Sequence, residues 1–560
     1  MRTGLAEDAT GRFPRLGDRY LLLALALAVA LAVHGIWWGW VEDWNPDSMA
    51  LRHLLTDRRH LLEPAEFLKP PFHTYLNFFL VVLPLKLLER LTQLVTGRPQ
   101  DFAVGILYFS RLIQIALFMG VVWLTYRVVL RASTSPAARY AALAAATSAG
   151  FVLQTHFLTA DIPVTFWMLA SFACAQAILG DGRRRNYLLA GLLAGVATAT
   201  KYNGLVIALA IPIFHWFGNT GTPLLRRVVE KRLLVGVLMV VVGFVLANPY
   251  AVLDFPKFSR DFAYNYVITP VYGGETTGSS YATFLLEIPE IVGWPLVAAT
   301  LAGLAFSAAR WRRMSLSERA TVAVALGVFL LYYLKFAAGA RMEARFVLPV
   351  VPLLWIAAAG SWAAFARRFA RVAMGLAAVA LLYNLSASYW VGKRFAEDPR
   401  MTAQSWVAGH IPAGSSVESS SYTPHWNLYP GVQVADVRIP PVSGRKRLLA
   451  RALSGSWAAG VTQSRESDEG LAWYQSAALA QRKPQFVALD SLYTDRYLFD
   501  DEGELYPEMR AYLKDLYAEK LGYRIVLDRA SRGSPRWLYP REIDFVDNRL
   551  VILRRDAAAP

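Results

Sequence analysis

Two early segments carry side chains suited to acid–base and phosphate chemistry: Glu42-Asp43-Trp44-Asn45-Pro46-Asp47-Ser48 and Lys69-Pro70-Pro71-Phe72-His73. Just above an apolar layer, an aspartate such as Asp47 is placed to take a proton from an attacking hydroxyl. The Asn-Pro-Asp spacing equally writes a helix start, with Asn45 as cap and Asp47 in the first turn. That placement contributes only about 0.3–1 kcal/mol and needs no catalytic role. Lys69, stiffened by two prolines, suits either a lipid phosphate or a snorkelling anchor. Lys201-Tyr202-Asn203-Gly204 and the run from Arg341 through Glu343 and Arg345 to Pro349 add cations, with Glu343 available as an ion-pair partner. His156-Phe157-Leu158-Thr159-Ala160-Asp161-Ile162-Pro163 adds an imidazole and a second carboxylate. Asp161 either caps the next helix, orients an acceptor, or joins Asp47 and His156 around a divalent metal. In the stretch 250–281, Tyr264, Tyr266 and Tyr272 beside Gly273-Gly274 read as an aromatic interface belt, a sugar-stacking surface or a lid.

What must position these groups is a membrane. Hydrophobic residues make up 55% of the 560, above the roughly 45–50% of soluble domains. The net charge of +16 does not point to nucleic acid, because there is no basic helix or aromatic-interleaved basic patch and much of the positive charge lies between apolar spans. Cys174 is the single cysteine, so neither an internal disulfide nor a multi-cysteine metal site can form. The first span, 20–40, follows Arg12, Arg15 and Arg19 and runs into Trp37-Trp38-Gly39-Trp40. With many spans after it, it reads as a retained anchor rather than a cleaved signal. Further spans are expected at 104–130, 140–158, 162–180, 187–200, 204–217, 233–248, 284–309, 320–336, 346–365 and 372–390, about eleven in all.

Arginine and lysine gather at every second connection, around residues 131–139, 183–185, 226–232, 310–313 and 367–371. The positive-inside rule makes these loops and the N-terminus cytoplasmic. The apolar stretch 72–94 then lies along the outer surface, since a crossing there would turn all five clusters outward. Pro84, Lys86, Glu89 and Arg90 within it fit an interfacial helix. An odd number of crossings puts the C-terminus outside. The expected division is a transmembrane catalytic domain, 1–391, with an outer first loop 41–103, and a soluble α/β domain, 392–560. In the latter, 402–410 and 504–521 read as helices, 485–489 and 523–527 as strands, and 543–553 as a hairpin around Asp547-Asn548. There is no internal repeat, glycine-rich phosphate loop, metalloprotease helix or nucleophile elbow.

In this order the motifs resemble the GT-C superfamily, the polytopic glycosyltransferases that use polyprenyl-phosphate sugars, including the glycosyltransferase 39 and 83 groups. The likeness covers the first span to about Pro352. It rests on the acidic residue after that span, the Lys69-Pro70-Pro71-aromatic segment, Arg111-Leu112, Asp161-x-Pro163, the Thr200-Lys201-Tyr202-x-Gly204 break and Arg345-Phe346-x-Leu348-Pro349. The resemblance implies transfer of a sugar, on the outer face, from an undecaprenyl- or dolichyl-phosphate donor to a hydroxyl of a lipid, glycan or protein acceptor. Asp47 matches the family's catalytic acidic residue, Lys69 its lipid-phosphate lysine, Lys201 and Arg345 positions near the donor phosphate, and Asp161 the acidic residue of the second outer loop. Many relatives carry an Asp-Glu pair where this chain has Asp47-Ser48.

The expected site is therefore Asp47 and Asp161 as catalytic carboxylates; Lys69, Lys201, Arg345 and Arg341 on the phosphate; and His73, His156, Tyr202, Tyr264 and Tyr266 around the substrates. No cofactor is required by this chemistry, and a divalent metal on Asp47, Asp161 and His156 stays open. The expected location is a bacterial inner membrane. The rival classes are a transporter or lipid flippase, which would place ionisable groups near the bilayer midplane, and a membrane-anchored scaffold, to which Asp47 would be dispensable.

Overall fold

The structure, a computed structural model, describes residues 18–39, 43–45, 47–48, 62–64, 66–98, 101–219, 221, 223–268, 280–338, 343–420, 423–424, 426, 431–436, 474–499, 506–531, 538, 546 and 548–556. Among them a helical bundle occupies the first two thirds of the chain and a five-stranded sheet the last part. Among the described residues, five helices are long and apolar enough to cross a bilayer: Val104–Ala132, Asp161–Asp181, Leu316–Phe336, Ala344–Arg368 and Ala370–His410. A bent pair, Tyr281–Val292 with Trp294–Arg313, makes a sixth if taken as one span. Arg19–Val33 and Tyr202–Gly218 are shorter apolar helices.

The breaks follow from local chemistry. The expected single span 284–309 is instead two helices meeting at 114°. Gly293 between them has φ of +78°, Pro289 lies inside the first helix, and Pro295 opens the second. A side chain on Gly293 would be strained and would meet the Tyr383 ring at 2.6 Å. The expected span 140–158 is likewise divided at Ser148, whose backbone is extended and whose hydroxyl donates to the carbonyl of Ile291.

The stretch 72–94 forms a continuous helical run, Phe72–Asn77, Phe78–Val82 and Leu83–Thr96, whose middle piece is π-helical. Pro84 has no N–H for the Leu80 carbonyl and its ring crowds that turn, so the coil widens just before it. The final piece buries none of its residues and exposes Leu87, Leu88, Leu91 and Leu94. It is not among the helices apolar enough to span.

Helix Arg184–Thr200 packs closely on Lys231–Ala247. A Cβ on Gly195 would lie 2.3 Å from the Val240 carbonyl, and one on Gly243 would lie 2.3 Å from that of Leu192. Small residues thus let the two backbones touch. On another side the same helix packs against Asp161–Gln176, which fixes where its C-terminus, and Lys201, emerges.

The sheet runs in the order β2 (Gln433–Asp436), β1 (Ser416–Ser419), β3 (Phe486–Asp490), β5 (Arg549–Arg555), β4 (Tyr523–Ala530). β1 pairs in parallel with β2 and β3, while β5 runs antiparallel between β3 and β4. β3 is central and fully buried. Helices Pro399–His410 and Pro507–Tyr517 match the two expected from the sequence. The expected hairpin is corrected: Arg549–Arg555 is one strand, and its partners are β3 and β4. Residues 543–545 and Asp547 lie outside the described residues.

At the end of β3, Asp490 is fully buried, its carboxylate taking hydrogen bonds from the Leu492 N–H and the Asn548 amide. Burial pushes its carboxyl up to about 7 despite the nearby Arg400. Because the folded value lies above the unfolded one, stability from this group is fully present below about pH 4 and is lost as pH rises toward about 7. The expected result is a melting midpoint of the C-terminal sheet that falls across that interval and levels off above it. An Asp490→Asn variant, which keeps the cap, should show no such slope when followed by circular dichroism or hydrogen exchange.

Candidate functional site

Five of the charged residues singled out in the sequence, Asp47, Lys69, Asp161, Lys201 and Arg345, come together in the structure. Asp47 is the hub. Its Oδ1 accepts from Lys69 Nζ at 2.7 Å, and its Oδ2 lies 2.5 Å from Arg345 Nη2. Arg345 also meets Glu343 Oε2 through Nε at 2.5 Å. About a third of the Asp47 side chain is exposed, Lys69 is more than half exposed, and Arg345 is only 8% exposed. Burial works to raise the Asp47 carboxyl, but Arg345 and then Lys69 outweigh it and hold it well below the usual carboxylate range. At rest Asp47 is therefore a clamped anion and a poor base.

A second ion pair adjoins it. Lys201 Nζ lies 2.6 Å from Oδ1 of the buried Asp161. Lys201 and Arg345 both sit over the Phe346 ring, at 5.3 and 5.5 Å from its centroid, which keeps the two cations within roughly 11 Å of each other. Local structure explains where Lys201 points. Helix Arg184–Thr200 stops at an extended Lys201, and the chain turns back over Gly204, where a Cβ would meet the Ala197 carbonyl at 2.6 Å. Asn203 donates to the Tyr332 hydroxyl, which in turn donates to the Phe346 carbonyl. Asp161 stands in the first turn of its helix, where Ala160 is the N-cap, and its carboxylate accepts from Lys201.

The segment before Lys69 is held by the helix Phe255–Ile268: Asn265 donates to the Leu68 carbonyl, the Phe67 N–H to Asp261, and Lys257 to Glu63 and the Pro64 carbonyl. Tyr202 takes part as well, its hydroxyl donating to the Phe67 carbonyl at 2.7 Å. Tyr202 therefore supports the Lys69 segment. Tyr264 is a half-buried residue of this helix. The Tyr266 side chain, Arg341, Tyr272 and Gly273-Gly274 lie outside the described residues.

The two imidazoles are placed differently from the sequence expectation. His156 is buried, stacks on Phe395 at 4.2 Å, and has its ring nitrogens 2.8 Å from the carbonyls of Val152 and His34. It is a packing residue in this arrangement. His73 is also buried, against Asn77 and Gln114. Among the described residues no three His, Cys, Asp or Glu side chains gather as a metal site. Asp47, Asp161 and His156 are not one ligand set, because each carboxylate already faces a cation.

The sequence reading passed over Asp43. It is buried, accepts from the N–H groups of Leu158 and Asn45, and faces the fully buried Arg111 at 3.8 Å. Burial pushes its carboxyl up, against the pull of Arg111. Asn45 continues the series: its side-chain oxygen accepts from the Asp47 N–H and its carbonyl from the Ser48 N–H, an Asx turn that sets the Asp47 backbone. Asp47 and Ser48 form a turn where the sequence predicts a helix start at Pro46; Pro46 and residues 49–61 lie outside the described residues. A cavity of about 210 Å³ among the apolar helices, lined by alanines with Trp355 and Trp362, includes none of these groups.

The sequence resemblance to the GT-C superfamily is borne out by a family-model match over part of the chain and by the fold of solved structures. Residues 101–248 match the family model of dolichyl-phosphate-mannose-protein mannosyltransferase. Among solved structures, ArnT from Cupriavidus metallidurans bound to undecaprenyl phosphate superposes with a TM-score of 0.56 at 14% identity, covering 97% of this chain and 99% of that one. The same protein in its apo state gives 0.53 at 14% identity, over 95% and 97%. The Archaeoglobus fulgidus oligosaccharyltransferase in its apo form gives 0.47 at 13% identity, over 93% and 75%. No curated protein matches by sequence. At these identities the structural likeness is one of fold.

Proposed function

We propose that this protein is a membrane glycosyltransferase that moves a sugar from a polyprenyl-phosphate donor to an acceptor hydroxyl, with inversion, on the outer face of a bacterial inner membrane. In this reading residues 1–391 hold the reaction and 392–560 form an outer domain. The observation that carries the proposal is the Asp47 carboxylate gripped by Lys69 and Arg345, with Lys201 and Asp161 beside it. A donor phosphodiester brings one negative charge and competes with Asp47 for those cations. As Lys69 and Arg345 turn to the phosphate, Asp47 loses the charges that depress it and becomes able to accept a proton. The acceptor oxygen then attacks the anomeric carbon opposite the phosphate, Asp47 takes the hydroxyl proton, and the sugar–phosphate bond breaks with its electron pair on the phosphate. The leaving group gains charge, so cations stabilise it and no general acid is needed. Fold likeness to a protein solved with undecaprenyl phosphate supports the choice of carrier, and the mannosyltransferase family match supports the reaction type.

The test uses the full-length protein in proteoliposomes with a panel of undecaprenyl- and dolichyl-phosphate sugars. Loss of donor and release of free polyprenyl phosphate should occur with at least one sugar. Movement of intact donor across the bilayer with no bond cleavage would overturn the reading in favour of a flippase.

A further inference from the structure

We propose that Arg400, locked to Asp398 at the foot of the C-terminal domain, is a positioning residue for Asp47, so that this domain sets turnover at the membrane site; the catalytic part of this inference rests on the function proposed above. Arg400 and Asp398 are both fully buried, with Nε 2.9 Å from Oδ1 and Nη2 2.6 Å from Oδ2. The guanidinium plane lies over Trp44 at 4.6 Å and over Trp38 at 5.6 Å. Asp398 uses its Oδ2 a further time, accepting from the Trp38 indole N–H at 2.7 Å. The Trp44 indole N–H donates to the Thr423 carbonyl at 3.0 Å, and the Gly39 N–H to the Met401 sulfur at 3.3 Å.

Trp38 and Trp44 both belong to the loop that carries Asp47, and each is fastened to residues beyond 397. From the bundle side, Arg111 lies 5.4 Å from the Trp38 ring and donates to the carbonyls of Ile36 and Trp38. Asp43 beside it is bonded to Leu158 and Asn45, and Asn45 turns the chain into Asp47. The loop is thus gripped between Arg111 in the bundle and Arg400 in the C-terminal domain. Asp47 lies three residues past Trp44, so its placement against Lys69 and Arg345 depends on both grips. Positioning errors near 1 Å at a reacting group can cost about a hundredfold in rate, whereas the backbone beside Lys69 and Arg345 is held by other elements.

The experiment compares wild type with Arg400→Gln and, as a milder change that keeps the ring, Trp44→Phe. Four readouts are taken: kcat, donor KM, equilibrium binding of polyprenyl phosphate, and hydrogen exchange of residues 36–48 against β3. Arg400→Gln should lower kcat at least tenfold with phosphate binding within twofold, and should raise exchange at 36–48 while leaving β3 protected. Trp44→Phe should give the same pattern several-fold weaker. Unchanged kcat with exchange raised at 36–48 overturns the proposal. So does joint loss of kcat and β3 protection in both variants, which would mark a merely structural role. If wild type transfers no sugar, the functional reading fails on its own, and unchanged exchange at 36–48 in both variants would sink the grip itself.

Discussion

Asp47→Asn lowers kcat by about 10²–10⁴-fold, the range expected when a general base is lost, while polyprenyl phosphate binds as well as before or more tightly. The second half of this result separates a base from a structural carboxylate. Asp47 is paired with Lys69 and Arg345, the cations that the proposed reaction assigns to the donor phosphate, so under that proposal a neutral amide removes a competitor. The pH dependence has a defined direction. With the free carboxyl held well below the usual range by Arg345 and Lys69 against the opposing effect of burial, the acid limb of kcat/KM lies below ordinary working pH. Once the phosphate has drawn the cations away the carboxyl titrates higher, so the acid limb of kcat moves up. Single-turnover transfer across pH checks this. Retention of that limb in Asp47→Asn, or a loss of less than tenfold, would remove Asp47 from the role.

Removing the cations should act at the other end of the reaction. Arg345→Gln is expected to cost about 10²–10³-fold in kcat/KM for the donor, the scale for losing one preorganised donor to a developing charge. Lys69→Met should cost less, because Lys69 is the more exposed of the two and solvent screens it. Arg345→Lys should not restore activity: Arg345 reaches Asp47 through Nη2 and Glu343 through Nε, two donors of one planar guanidinium, and an ammonium cannot reproduce that fork. Binding of polyprenyl phosphate by isothermal titration should fall in parallel with kcat/KM. Binding within threefold of wild type in Arg345→Gln would detach this residue from the phosphate.

Much of the site was legible because its residues interrupt apolar sequence. A lysine closing a span, as Lys201 does, or a charge before two prolines, as with Lys69, is costly enough near lipid to attract notice. What the sequence could not convey was which charge meets which. Asp43 and Asp47 are four residues apart, yet one is buried against Arg111 and the other is shared by two cations. The signal that was available for Asp43 was Arg111 itself, a guanidinium inside an apolar run that needs a partner. His156 and His73 read as substrate-side residues because an imidazole in sequence looks the same whether it faces a substrate or, as here, a packed phenyl ring or two amides. In the bundle, apolar length predicted the helices well but not their breaks at Ser148 and Gly293, although Gly293-Trp294-Pro295 after Pro289 was a visible warning. β1 and β2 escaped because four-residue strands such as Ser416-Val417-Glu418-Ser419 carry too little alternation to stand out.

The paired charges also bear on how a catalytic cycle would close. Among the described residues, Asp47, Glu343 and Asp161 face Lys69, Arg345 and Lys201, three carboxylates to three cations. A loaded carrier arrives with a single negative charge, but the spent one is a phosphate monoester carrying about −1.5 to −2. The cations would then grip the product more firmly than the donor, and the pace of repeated turnover would be set by how quickly the discharged carrier lets go. Asp47 would assist that exit by reclaiming Lys69 and Arg345 once it has passed its proton to water.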